Sequence, residues 1–288
     1  MGFRGSCLVS PSPGSKSLHL VVGHTAQLEK WMLYSTRIIF IHGLIGPLNK
    51  TFLMDGAQST QMLAPDMLGY GSLADVDPAM ISLDTQVEYL HKEINAVSAT
   101  HDRWYLLGHS VGGAIAALFA AAYPDRVEAV ISVEGNFTLD DAFWSQKLAK
   151  MPLEEVQAKL LEDRSEPAKW LHGAGVKPTE ATLLAAATCL SFQPASTLQQ
   201  MAASVVDITG NPAYLNGIER WVDDIPLHLI AGERSAKGWH IPAWVKEKAA
   251  SYREMKNCGH LMMLEDVHQF SSAITAIIEK NKASLNRQ

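Results

Sequence analysis

The sequence predicts an α/β protein: a mostly parallel central sheet flanked by helices, interrupted by a helical insertion. Three observations carry that expectation. Short continuous apolar runs alternate with amphipathic stretches from Arg37 to Val133. The alternation breaks between about 137 and 222, where only helical patterns occur. Strand-like runs then return at Pro226.

Arg37 to Ile41 is continuous, β-branched and stopped by Gly43, which reads as a buried strand. Thr60 to Ala64 is a second strand, ended by Pro65. Val87, Leu90, Ile94 and Val97 fall at helical spacing in Ser82 to Val97, with Ser82 placed to cap the start. Trp104 to Leu107 is the next strand, and Val111 to Tyr123 an Ala-rich helix halted by Pro124. Val127 to Val133 is another strand. The insertion carries helical patterns at Leu139 to Met151, Leu153 to Asp163, Thr179 to Leu190, Ser196 to Val206 and Pro212 to Trp221. Pro226 to Ala231 and Tyr252 to Lys256 resume the strands, and Gln269 to Lys280 closes the chain as a helix. An insertion so placed is expected over the carboxyl ends of the strands, where ligands bind.

Composition narrows the function classes. The 288 residues hold 24 Lys+Arg against 30 Asp+Glu, a formal charge of −6 without the basic stripe that nucleic acid requires. With 47% apolar and 19% charged residues, the chain can pack a core. The three cysteines, Cys7, Cys189 and Cys258, are too scattered for a disulfide framework or a metal cluster, so a cytoplasmic protein is expected. The most apolar stretch, Ala114 to Ala122, is far shorter than the ~20 residues of a membrane helix, and no stable membrane insertion is expected. Residues 1–17, rich in Gly, Ser and Pro, read as a flexible tail. Gly2 with Ser6 and Cys7 fits the permissive myristoylation pattern, a reading the tail does not favour. The expected organisation is a tail at 1–17, an α/β core at 18–136 and 223–288, and a helical cap at 137–222. Oligomeric state is not legible.

Chemistry concentrates in Gly108-His109-Ser110-Val111-Gly112, a Gly-x-Ser-x-Gly pattern between a strand and a small-residue helix. A serine on such a turn takes a strained backbone, and the two glycines remove side chains that would strike the neighbouring elements. The hydroxyl then projects above the sheet beside a helix amino terminus, which favours developing negative charge. A serine nucleophile needs a base. Of 11 histidines, His260 in Asn257-Cys258-Gly259-His260 lies between the last strand and the last helix, at the edge of the sheet expected for Ser110. His109 is expected packed beneath the turn, and His42 beside the loop after the first strand.

Together with Phe40-Ile41-His42-Gly43-Leu44-Ile45-Gly46-Pro47, Asp66-Met67-Leu68-Gly69-Tyr70-Gly71-Ser72 and Gly259-His260-Leu261-Met262-Met263-Leu264-Glu265-Asp266, the serine turn makes four ordered motifs. The chain thereby resembles the α/β-hydrolase superfamily, as a serine-nucleophile, cap-containing, esterase- or lipase-like member. The resemblance implies Ser110 as nucleophile, His260 as base, and an oxyanion hole from the backbone N–H groups of Leu44 and Val111. It implies bracing roles for Asp66 and Tyr70, and no metal or organic cofactor.

The acid departs from the family pattern. Many members carry it as Gly-x-x-Asp after the strand that here ends in Ala231-Gly232-Glu233-Arg234-Ser235, and the aspartate slot holds Ser235. A serine cannot stabilise the imidazolium. Glu134, ending the apolar strand Val127 to Val133, is the preferred candidate, because a carboxylate there is costly unless paired. Glu233 is the alternative; Asp207, or a structural role for both glutamates, stays open.

The expected activity is hydrolysis of a small or medium, largely apolar carboxylic ester or lactone through an acyl-enzyme on Ser110. The same residues could serve thioester or carbon–carbon hydrolysis, or cofactor-free peroxidation; a ligand-binding protein with little turnover is the alternative of another class. Epoxide hydrolase and dehalogenase relatives are disfavoured, since they use aspartate where Ser110 stands. Among the apolar side chains Phe143, Trp144, Trp170, Leu171 and 182–190, most are expected to pack and a few to line an apolar pocket, with Met262 and Met263 as neighbours.

Overall fold

Thr36–Ile41 (β1), Thr60–Leu63 (β2), Trp104–His109 (β3), Val127–Val133 (β4), Leu227–Gly232 (β5) and Ser251–Met255 (β6) form one sheet in the order β2-β1-β3-β4-β5-β6. Every neighbouring pair is parallel. The computed structural model describes residues 36–49 and 60–285. The expected tail at 1–17, Gly2, Cys7 and the start of the expected core lie outside the described residues. The register aligns Ile41 with Gly108, His109 with Val133, and Gly232 with Met255, so the loops carrying the four sequence motifs leave the sheet at one edge.

Alternating side chains divide the strands between two faces. Ile39, Ile41, Leu106, Val130 and Leu229 pack on one side with helices Leu83–Val97 (α1) and Val111–Ala122 (α2). Ile38, Phe40, Leu107, Ile131 and Ile230 pack on the other against Phe270, Ala273, Ile274 and Ile277 of the terminal helix. Most are fully buried, each contributing about 1.5–3 kcal/mol of apolar burial. Ser82 caps α1 in a reciprocal pair with Thr85, worth about 1 kcal/mol.

Between β4 and β5 run Phe143–Lys150 (α3), Leu153–Ser165 (α4), Pro167–Gly173 (α5), Glu180–Ser191 (α6), Ala195–Thr209 (α7) and Pro212–Glu219 (α8). The helix expected from Leu139 starts later, because the Asp141 carboxylate accepts the N–H groups of Phe137 and Thr138 and holds that stretch in a turn. Helix α5, with Pro at its first position, was not legible in the pattern. Leu198, Met201 and Val205 of α7 and Tyr214 and Ile218 of α8 join the same apolar cluster as Ile115 and Phe119 of α2. The last helices of the insertion are therefore packed on the core by continuous burial. Ala243–Lys248 (α9), Met262–Glu265 (α10) and Val267–Leu285 (α11) complete the chain.

Candidate active site

Ser110 sits between β3 and α2 at φ 54°, ψ −123°, a conformation that costs a non-glycine residue about 1–3 kcal/mol. The turn is clamped in place. Ser110 N–H donates to Val133 O (3.0 Å), and Ser110 O accepts the N–H groups of Gly113 (2.8 Å) and Asn136 (3.3 Å). A Cβ on Gly112 would stand 2.1 Å from Ile41 O, and one on Gly108 would stand 2.2 Å from Gly112 O, so strand and helix approach too closely for any side chain. Val111 opens α2, where the first-turn N–H groups have no intrahelical acceptor.

The bond from Ser110 N–H to Val133 places the serine next to Glu134, the residue that immediately follows β4. Glu134 is itself at φ 43°, with its N–H donating to Ile230 O (3.0 Å). Its side chain, 5% exposed, meets His260: Nδ1 lies 2.6 Å from Glu134 Oε2. With Nδ1 committed to the carboxylate, Nε2 is the ring nitrogen left for a hydroxyl. Ser110 and His260 form no direct hydrogen bond among the described residues; such contacts often tighten only around substrate. Burial would raise the Glu134 carboxyl, but hydrogen bonds from His260, Ser235 and Gly232 N–H, with the His260 charge, hold it below the ordinary glutamate value.

Glu233 points elsewhere. Its carboxylate accepts Lys256 Nζ (2.7 Å) and Asn257 N–H (2.9 Å) on the outer surface. The Ser235 hydroxyl instead donates to Glu134 Oε1 at 2.5 Å. Asp207, on α7, is not brought to this cluster by any hydrogen bond among the described residues.

Four further side chains of the core brace the loops. His109, buried, donates from Nε2 to His260 O (2.9 Å), so it reaches across to the histidine loop as well as packing beneath the turn. Burial and the neighbouring His260 hold its pKa well below 6.5. His42 donates from Nδ1 to Gly43 O (2.8 Å), and burial brings it down to about 4, so it is neutral. Tyr70 donates to Leu44 O (3.2 Å), while Asp66 accepts the Ser72 N–H and hydroxyl, both at 2.8 Å. From the insertion, Gln193 Oε1 accepts Gly46 N–H (3.3 Å), and the Phe192 ring stands edge-on to His42. Gln193 had no sequence signal; only the docking of the α6–α7 connection identifies it.

A small cavity, partly open to solvent, lies beside this cluster and is lined by His42, Gly43, His109 and apolar side chains including Trp170, Leu261 and Met263; Ser110 and His260 themselves are not in its wall. Trp170 and Cys189 come from the insertion. Of the other side chains considered from the sequence, Leu171 and Met262 are fully buried in apolar clusters and Phe143 is 63% exposed on the surface. None of those three lines the cavity.

A family model described as "Alpha/beta hydrolase family" matches residues 38–273. The chain belongs to the alpha/beta hydrolase family. Among curated relatives, Lipase 3 of Moraxella sp. (strain TA144) is 31% identical over 117 residues, 39% of this chain. The match spans about a third (34%) of that lipase. The 2-succinyl-6-hydroxy-2,4-cyclohexadiene-1-carboxylate synthase of Serratia proteamaculans (strain 568) is 28% identical over 206 residues, 60% of this chain and 75% of the synthase. The solved structure of a thermophilic esterase from Thermogutta terrifontis superposes with a TM-score of 0.63 at 18% identity, covering 86% of this chain and 91% of that one, a likeness of fold. Among the described residues no helix is long and apolar enough to cross a membrane.

Proposed function

We propose that this alpha/beta hydrolase is a serine hydrolase that cleaves a small or medium, largely apolar carboxylic ester or lactone. The observation carrying the reading is the 2.6 Å contact from His260 Nδ1 to Glu134 Oε2, on the residue next to the one that holds the Ser110 turn. In the proposed mechanism His260 takes the Ser110 proton through Nε2 as the oxygen attacks the carbonyl carbon. Glu134 fixes the ring and stabilises the imidazolium. The backbone N–H groups of Val111 and Leu44 receive the oxyanion, the Leu44 peptide being steadied by Tyr70. His260 then protonates the leaving alcohol, and a water activated by the same ring releases the acid. The insertion at 137–222 acts as a cap, supplying Trp170 and Cys189 to the cavity wall.

Charge supports a neutral substrate. Among the described residues the cavity lining contains no Lys or Arg, and its two histidines, His42 and His109, are held neutral by burial. The Serratia relative, whose name specifies a carboxylate, favours a second reading in which the same side chains move protons during carbon–carbon chemistry. An anionic carboxylate would find no counter-charge among the described residues of this lining.

The test is hydrolysis of p-nitrophenyl acetate and butyrate by wild type and the Ser110→Ala, Glu134→Gln and Glu233→Gln variants, with fluorophosphonate labelling of each. The expected result is loss of most turnover in the first two and near-normal turnover in the third. Wild-type protein that neither labels nor exceeds Ser110→Ala would overturn the reading.

A further inference from the structure

We infer that Ser235 is a positioning residue for the acid, its hydroxyl holding Glu134 Oε1 so that Oε2 alone faces His260. The inference rests on the proposed Ser110–His260–Glu134 mechanism and deepens it. The slot in which the family's motif carries aspartate is occupied here by a side chain that serves the acid on the neighbouring strand.

The hydrogen-bond inventory is closed. Glu134 Oε1 accepts Ser235 Oγ–H (2.5 Å) and Gly232 N–H (2.8 Å), while Oε2 accepts from His260 Nδ1 (2.6 Å). Ser235 Oγ also lies 3.3 Å from Gly232 O, but its one proton is drawn to the nearer, charged oxygen. A glutamate has one more side-chain torsion than an aspartate, so a carboxylate projecting from β4 needs an anchor on its far oxygen to aim the near one. Gly232 N–H supplies that anchor from the backbone of β5, and Ser235 supplies it three residues later from the same loop.

The geometry also explains the absent aspartate. A carboxylate at 235 would lie against Glu134 Oε1, and two carboxylates in hydrogen-bond contact cannot both ionise. With Glu134 as the acid, a donor belongs at 235. The other titratable groups coupled to this pair are His109, held neutral by burial, and Tyr252 of β6, pushed up to about 12 by burial and by Glu254.

The experiment compares kcat, KM and the acidic limb of kcat/KM for wild type, Ser235→Ala, Ser235→Cys and Ser235→Thr, with Glu134→Gln alongside and melting temperatures for all. Loss of one hydrogen bond to a charged group predicts a kcat roughly three- to tenfold lower in Ser235→Ala, with KM little changed. Without the hydroxyl, negative charge concentrates on the oxygen facing His260, favours imidazolium, and moves the acidic limb a few tenths of a unit upward. Ser235→Thr, which keeps the hydroxyl, restores rate and limb; Ser235→Cys, a weaker donor, falls between. Should Ser235→Ala not fold, the order Thr above Cys still decides. Unchanged kcat and acidic limb in Ser235→Ala beside a crippled Glu134→Gln would overturn the inference and leave the mechanism standing. Normal turnover by Glu134→Gln would overturn the mechanism itself.

Discussion

His109 Nε2 donates a 2.9 Å hydrogen bond to the carbonyl oxygen of His260, 151 residues away, with the two rings 4.6 Å apart. The residue preceding the candidate nucleophile thus fixes the backbone of the candidate base. His109→Phe keeps an aromatic ring but leaves that carbonyl without its donor. The expected cost is about 1–3 kcal/mol of stability, read by urea denaturation. Ester turnover should fall more than substrate affinity, because the ring of His260 is no longer held at its working distance.

Gln193, 1% exposed, links the insertion to the loop after β1: Oε1 accepts Gly46 N–H and Nε2 donates to Cys189 O (3.0 Å). Gln193→Leu fills the space and strands the Gly46 N–H, while Cys189 O keeps the Phe192 N–H (3.3 Å). It should lower kcat about tenfold through a loosened Leu44 peptide, the effect of weakening one oxyanion donor without deleting it. A variant with wild-type kcat and a raised KM would place Gln193 in substrate binding instead.

His228 is fully buried at the amino end of β5, far along the strand from the site, with Nδ1 2.7 Å from Ser251 Oγ and Nε2 3.1 Å from Asn281 Oδ1. Burial lowers its pKa to about 4, as it does for His42. The unfolded chain, with histidines near 6.5, binds more protons below that pH than the folded one. Stability is therefore intact above about pH 6.5 and is lost as pH falls toward 4, at up to ~1.4 kcal/mol per pH unit for each histidine. Urea midpoints between pH 7 and 4 should show this slope, and His228→Gln should flatten it while leaving turnover at pH 7.5 unchanged.

Gly112→Ala introduces a methyl group 2.1 Å from Ile41 O and 2.7 Å from His42 O. Backbone atoms of a central strand cannot withdraw by that distance without moving the sheet. Destabilisation of about 3 kcal/mol or more is expected, visible as a lowered urea midpoint or failure to accumulate folded protein.

The fold and much of the candidate site were legible in the linear chain because both depend on local pattern. Continuous apolar runs set β1, β3 and β4, Ser82 marked the start of α1, and glycines flanking Ser110 announced a turn that tolerates no side chains. The departure at Ser235 already argued for an acid elsewhere, and an unpaired carboxylate at the end of an apolar strand pointed to Glu134. Elements held by local competition were less legible: Asp141 unwinds the start of α3 with bonds to its own neighbours, and α5 is too short to show a period.

Tertiary structure decided what depends on distance across the chain. Glu134 and Glu233 are indistinguishable by type, and only the twist and register of β4 and β5 aim the first inward to His260 and the second outward to Lys256. The same register turns Ser235 from an apparent defect into a donor for Glu134. Gln193 and His109 acquire partners 147 and 151 residues away, and no periodicity encodes such contacts. Local steric rules and hydrophobic spacing determine which elements form; the partner of a buried polar group is fixed only when packing brings the elements together and leaves that group one donor or acceptor within reach.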